Sequence, residues 1–367
     1  MNHASGTLKF AGSTLVALTE TLWIKRFGSK RSGFRYVDGK GRPIRDRRTL
    51  ARIEALRVPP AWRGVHIAAS PRSAIQAWGF DARGRRQYRY HERAVERREL
   101  RKYHRVRRLA KELPRIRRTL RLDARLDAPA RAVDADTAAA TVLRLISETF
   151  CRVGGERYTR ENGTFGITTL RKSHVELSGK TARFAYRGKG KIRQRQVVHD
   201  RELVRLVARQ LRTPGTRLFR YADDGSWRLL TARDVNEYLR RRVGRYSAKD
   251  LRTWGGTLRA ATVLAELGPA KTPSEAKRNV ALAMRLVSSE LGNTATICRK
   301  SYVHPIVIAR YLDEGETIPL PRARRRASNR GQAHSPEERA LIAFLDRHFP
   351  ERRRRPRQDD SSQPPGE

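Results

Sequence analysis

The chain has 367 residues, in which 81 Lys and Arg outweigh 37 Asp and Glu, a formal charge of +44. Self-repulsion of that size raises the free energy of any compact state and calls for a polyanionic partner, nucleic acid first among them. Charge alone does not separate DNA from RNA or from an anionic membrane. Cys151 and Cys298 are too few and too far apart for a disulfide framework or a zinc site, and no apolar run reaches membrane-spanning length. The opening MNHASGT carries no basic leader. The expectation is a soluble cytoplasmic, nucleoid-associated protein with no membrane partner.

Residues 1–33 show no clear period and are expected to be only partly ordered. From Phe34 the pattern turns β-like: Phe34–Val37 runs into the turn residues Asp38-Gly39-Lys40-Gly41. Thr49–Leu56 suits a short helix that Val58-Pro59-Pro60 ends. Val65–Ile67, Ile75–Phe80 and Arg86–Tyr90 read as strands, which makes 34–95 a small antiparallel-sheet domain. Alternation puts Arg86, Tyr88 and Tyr90 on one strand face.

After His91 the pattern becomes helical, and 96–315 is expected to be a mostly α domain with a β-hairpin insert. Glu92–Leu122 is dense in Arg with a thin apolar stripe, and Pro114 is expected to break or kink it. From Asp134, Val142, Ile146 and Phe150 recur at helical spacing. Strands are expected at His174–Leu177, Ala182–Tyr186 and Ile192–Val198. Helices follow from Thr231, over Leu251–Leu267 and over Ser274–Leu291. Residues 316–367 form a basic tail containing Arg322–Arg326 and Arg352–Arg355. Ser335-Pro336-Glu337-Glu338 has the form of a capping box, opening a short helix near 336–348.

The chain holds no GxxxxGK[ST] loop, no HExxH and no carboxylate run spaced for magnesium. An enzyme acting on a phosphodiester without such parts needs its own nucleophile, cations for the phosphoryl oxygens and an acid for the leaving oxygen. The stretch from Lys249-Asp250-Leu251-Arg252 to Gly292-Asn293-Thr294 and Cys298-Arg299-Lys300-Ser301-Tyr302 offers basic groups, an amide and a phenol. Taken alone the constellation is weak, because a single helical Tyr is far more often a core or rim residue.

A family resemblance carries the reading further. Asp81-Ala-Arg-Gly-Arg85-Arg-Gln-Tyr88-Arg-Tyr90-His91, preceded by Val58-Pro-Pro-Ala-Trp62, resembles the N-terminal DNA-clamping domain of type IB topoisomerases of the small bacterial and poxvirus-like kind. Arg152–Tyr158, Gly166–Val175, Arg187-Gly-Lys189-Gly-Lys191, Lys249–Trp254 and Gly292–Tyr302 resemble the same family in order and spacing, over about Phe34 to Leu312. The resemblance implies an α+β enzyme whose lobes clamp duplex DNA as a monomer, with no cofactor and no metal. It implies a catalytic set of Arg152, Lys189, Arg252, Asn293 and Tyr302, with Tyr302 linked transiently to a 3′ phosphate. It also implies DNA contacts at Arg85, Gln87, Tyr88, Tyr90 and Tyr158. Poxvirus-type members are similar but carry His where this chain has Asn293, so proton transfer there is not expected.

Two other readings compete. A tyrosine site-specific recombinase uses the same chemistry, but typically carries His where this chain has Lys249. A non-catalytic DNA-compacting protein would explain the charge alone. His174 and His304 read as structural or phosphate-contacting residues, and Cys298 as packing.

Overall fold

A computed structural model describes residues 23–124, 133–320 and 333–350. The chain divides into two compact units, Met1–Arg101 and Lys102–Glu367. The Arg322–Arg326 and Arg352–Arg355 runs lie outside the described residues.

In the first unit five antiparallel strands form one sheet in the order β2-β1-β3-β4-β5: β1 Trp23–Ser29, β2 Gly33–Val37, β3 Arg63–Ala68, β4 Ile75–Phe80 and β5 Arg86–Tyr90. Helix α1, Arg47–Ala55, starts where the Asp46 carboxylate accepts from the Arg48 and Thr49 amides, satisfying two of the donors a helix start leaves open. Ile24, Ile53, Val65, Ile67 and Ala77 form a small core, closed at its edge by Leu56, Val58 and Trp62. The opposite sheet face keeps aromatic and cationic side chains. His66 stacks on Trp78 at 4.0 Å, Trp23 and Phe80 meet Trp78 edge-on, and the Arg86 guanidinium lies 3.7 Å above the Trp78 ring.

Strand β1 falls inside the 1–33 segment expected to be only partly ordered. Its signal is faint because Lys25 and Arg26 interrupt the apolar alternation. Arg26 nevertheless turns inward, donating to the carbonyls of Pro59 (3.1 Å) and Trp62 (2.8 Å) and stacking on Phe34.

Helix α2, Glu92–Asp123, holds Pro114 inside it and is not broken there; of the expected break or kink, the break does not occur. A proline costs a helix one hydrogen bond by removing the N–H that would reach the carbonyl four residues back. That carbonyl, Ala110 O, is engaged instead by His334 Nε2 at 2.7 Å. Leu109, Leu113, Ile116 and Leu120 bury the helix's apolar stripe.

The second unit builds its core around α3, Ala135–Thr149, capped by Asp134 and buried on nearly every side. After α4, Glu156–Asn162, the expected insert is a three-stranded antiparallel sheet of β6 Val175–Ser178, β7 Thr181–Arg187 and β8 Arg193–Val198. Helix α5, Arg201–Leu211, and a two-stranded ribbon, β9 Arg220–Asp223 and β10 Ser226–Leu229, were not anticipated. Helices α6 Ala232–Arg242, α7 Ala248–Leu267, α8 Pro273–Leu291, α9 Ala295–Ser301 and α10 Pro305–Glu314 follow. Helix α11, Pro336–His348, has the expected Ser335–Glu338 capping box. Glu338 is buried there, accepting from Arg117 on α2, while Leu341, Phe344 and Leu345 enter the core. No helix among the described residues is long and apolar enough to cross a membrane.

Candidate active site

Arg152, Lys189, Arg252 and Tyr302 line one cavity of about 290 Å³ in the second unit, together with Tyr158 and Lys249. Asn293 joins the group by accepting a hydrogen bond from Arg152 through its Oδ1. The lining holds four cations and no carboxylate, a combination suited to an anion.

Each member is held by local structure. Arg152 follows the end of α3, where Phe150 takes a left-handed backbone (φ 53°). Its loop is laced to the next turn by Ile167 N donating to Arg152 O (2.7 Å) and Thr168 N donating to Val153 O (2.8 Å). The Phe150 ring packs against Gly255 on α7, and a Cβ at 255 would overlap the ring.

Lys189 sits exposed in the turn between β7 and β8, its Nζ 5.7 Å from the Tyr158 ring centroid. Arg252 projects from the first turns of α7, a helix whose start is fixed by Asp250. That carboxylate accepts from Ser247 N (2.9 Å) and, bidentately, from Arg105 on α2 (3.1 and 2.9 Å). Tyr302 ends α9, and its ring is flanked by the Arg252 guanidinium at 5.1 Å and the Lys249 ammonium at 6.0 Å.

Arg252 is 3% exposed. Its Nη2 donates to Leu291 O (3.0 Å), but Nε and Nη1 are buried with no hydrogen-bond partner among the described residues, as is Nδ2 of Asn293. Burial lowers the Arg252 pKa, while Tyr302 opposes the shift; a guanidinium remains charged throughout the useful pH range. Unmade buried donors are costly, so the two on Arg252, whose guanidinium lies beside the Tyr302 ring, favour an acceptor oxygen in the cavity.

The candidate DNA contacts separate into two groups. Tyr88 and Tyr90 are exposed and stack at 5.8 Å on the aromatic sheet face, with Arg86 over the Tyr88 ring at 5.5 Å. Arg85 and Gln87 instead both donate to Asp81 Oδ2, at 2.8 and 2.9 Å. Tyr158 lies not with these but on the rim of the cavity.

Comparison with known proteins gives the family. A family model described as the eukaryotic DNA topoisomerase I catalytic core matches residues 91–321, and one for the bacterial DNA topoisomerase IB N-terminal domain matches 33–81. A DNA topoisomerase 1B of Acanthamoeba polyphaga mimivirus is 30% identical over 276 residues, 73% of this chain and 81% of that protein. The chain belongs to the type IB DNA topoisomerases. The vaccinia virus (strain Copenhagen) DNA topoisomerase 1B is 25% identical over 245 residues, 64% of this chain and 72% of that protein. Among solved structures, the XerH site-specific recombinase bound to its difH substrate aligns with 53% of this chain and 48% of its own, at 16% identity and TM-score 0.35. A likeness that slight bears on neither fold nor activity.

The topoisomerase thus has its active-site candidates gathered in one place, with neighbours that sequence reasoning passed over. Lys249, in the sequence a basic group at a helix start and a mark against recombinases but no member of the implied catalytic set, lines the cavity. Gly256 packs directly under Tyr302: a Cβ there would stand 2.8 Å from the Tyr302 carbonyl oxygen. His304 is buried, its backbone N–H donating to Thr257 Oγ1 (3.0 Å) and its ring packed between Tyr103 and Phe349, a structural placement. Burial pushes the Cys298 thiol up from its ordinary value, which suits packing rather than reactivity.

Proposed function

We propose that this topoisomerase relaxes supercoiled DNA by cutting one strand with Tyr302, through a 3′-phosphotyrosyl intermediate and without ATP or metal. The observation that carries the reading is that Arg152, Lys189, Arg252 and Tyr302 line one cavity, with buried donors on Arg252 and Asn293 that meet no acceptor among the described residues.

Attack by the Tyr302 oxygen on phosphorus, with the phenolic proton lost to water, forms a new P–O bond as the bond to the 5′ oxygen breaks. Negative charge builds on the non-bridging oxygens, where the forks of Arg152 and Arg252 and the Asn293 amide supply donors already fixed in place. Such preorganisation stabilises the transition state without reorganisation at the moment of reaction. The 5′ oxygen leaves poorly as an alkoxide, and Lys189 is the group positioned to protonate it. Tyr158 holds that ammonium by its ring face. Asn293 cannot ionise, so its part is to donate, oriented by the bond its Oδ1 accepts from Arg152.

Because the phosphodiester energy is kept in the phosphotyrosine, the freed 5′ hydroxyl can reverse the reaction after swivelling. In this reading the enzyme works as a monomer in the nucleoid, its two units enclosing duplex DNA. Tyr88 and Tyr90 meet the duplex from the first unit, with Arg85 and Gln87 beside them, and Tyr158 meets it at the cavity rim.

The test is relaxation of supercoiled plasmid in EDTA without ATP. Relaxation by the wild type and none by Tyr302→Phe is the expected result. Relaxation by both would remove Tyr302 as nucleophile, and relaxation by neither would remove the metal-free mechanism.

A further inference from the structure

The group meant to protonate the leaving oxygen and the amide meant to hold a phosphoryl oxygen stand on different elements, the β7–β8 turn and the turn between α8 and α9. Their separation must be set by something beneath them. Gln194, on β8 opposite Tyr186 of β7, is buried and reaches both.

At its near end the side chain runs over Gly188, the residue before Lys189: a Cβ at Gly188 would stand 2.8 Å from Gln194 Cγ and 3.3 Å from Cδ. At its far end the amide fills the space beside Gly292, the residue before Asn293, where a Cβ would overlap both Oε1 and Nε2. Gly292 has φ 60° and closes α8, so this backbone also suits glycine for its own sake. Two residues along the same strand, Gln196 Nε2 donates to Glu290 O at 3.4 Å, so β8 is tied to the end of α8 at a second point. The same end of α8 supplies Leu291 O, the acceptor for Arg252. The turn itself is closed by Gly188 N donating to Ile192 O at 2.8 Å, so a shift of Gly188 carries Lys189 with it.

We propose that Gln194 is a positioning residue for strand cleavage. Its side chain is a spacer that sets the Lys189 turn against the Asn293 turn, so that acid and amide reach the same phosphodiester. The proposal rests on the roles given above to Lys189 and Asn293. Shortening the spacer lets the two turns approach or slide without removing any group that touches DNA. A displacement of about 1 Å can cost on the order of 10²-fold in a reaction that depends on alignment.

The experiment uses the full chain and single-turnover cleavage of a duplex that the wild type cuts at one bond. A second duplex has the bridging 5′ oxygen of that bond replaced by sulfur, which leaves as a thiolate and needs no proton. Lys189→Ala is expected to be slow on the oxygen duplex and restored by sulfur; without that restoration the general-acid role of Lys189 fails, independently of Gln194. With the Lys189 control in place, Gln194→Ala is expected to cleave the oxygen duplex about 10- to 100-fold slower than wild type and to be restored in part by sulfur, the remaining deficit being the share that displacement of Asn293 causes. Equal slowing on both duplexes, or no slowing on either, overturns the spacer role. Gln194→Met keeps the length of the side chain and guards against a collapse of Gln194→Ala. It is expected within about fivefold of wild type on the oxygen duplex, and a Met variant as slow as Lys189→Ala also overturns the proposal.

Discussion

Arg152 donates to Asn293 Oδ1, and this fixes which way the amide faces. With its oxygen occupied, Asn293 can offer only Nδ2, a buried donor that meets no acceptor among the described residues. The pair therefore offers donors of one sense, Arg152 from the cavity wall and Asn293 from behind it. Asn293→Ala removes one of them, and loss of a single preorganised donor of this kind costs on the order of 10²- to 10³-fold in rate. Asn293→Asp should be worse, since it sets a carboxylate where negative charge develops. Single-turnover cleavage under saturating enzyme, with duplex affinity measured in parallel, checks both. An Asp variant faster than the Ala variant would show that this position does not face the phosphoryl oxygens.

Gly256 offers a second handle on Tyr302. An added methyl would meet the Tyr302 carbonyl oxygen at 2.8 Å, Leu291 Cδ1 at 3.0 Å and Tyr302 Cβ at 3.3 Å. Backbone on one side and a packed core on the other leave little room to yield, and overpacking of this sort costs about 1–3 kcal/mol. Gly256→Ala is expected to lower the urea midpoint modestly and the cleavage rate by about 10²-fold, because the nucleophile moves with its backbone. The reverse pattern, full cleavage rate with lost stability, would mean that the strain is relieved away from Tyr302.

His304 gives the fold a predictable response to acid. Burial, followed by His104, Lys102 and Arg107, pushes its imidazole from 6.5 down to about 3. Between those values the unfolded chain binds a proton that the folded chain refuses. The stabilisation is complete above pH 6.5 and is lost as pH falls from 6.5 toward 3, by about 1.4 kcal/mol per pH unit at most. His304→Asn keeps an acceptor for the Ile306 N–H, which Nδ1 now serves at 3.3 Å. Urea midpoints at pH 7.5 and 5 should fall further in wild type than in His304→Asn. Parallel profiles would rule His304 out as the source.

Much of the site was legible only through a resemblance, because its members lie in short motifs whose order and spacing match a known family, while the residues by themselves made a weak constellation. Strand alternation placed Arg86, Tyr88 and Tyr90 on one face, as the ring contacts bear out. What escaped depends on partners that no local pattern encodes. Pro114 reads as a helix breaker until His334, 220 residues later, takes up the Ala110 carbonyl. Helix α5 could have been read from the Asp200 cap and the spacing of Leu203, Val204, Leu206 and Val207. Gln194 carried no signal at all, since its role lies in two glycines distant in sequence and adjacent in space.

The same dependence on partners bears on which arginine of the Asp81–His91 segment grips DNA. Arg85 is already matched: Asp81 accepts from its side chain and its backbone, and the Arg85 side chain is the main reason the Asp81 carboxyl is held down to about 2. Arg86 has no carboxylate beside it among the contacts described. It lies over Trp78 and Tyr88, where an aromatic face orients a guanidinium without cancelling its charge. A phosphate contact releases counterions in proportion to the charge delivered, so its loss shows in the salt dependence of binding. Arg86→Ala should weaken duplex binding and lower the slope of log K against log salt by about 1. Arg85→Ala should change that slope less, because it frees Asp81 rather than exposing a phosphate-ready cation. Tyr88→Ala should lower affinity at every salt concentration while leaving the slope as it was. Fluorescence anisotropy of a labelled duplex across a salt series separates the three. A larger slope change for Arg85→Ala than for Arg86→Ala would mean that DNA approaches the Asp81 turn and not the aromatic face.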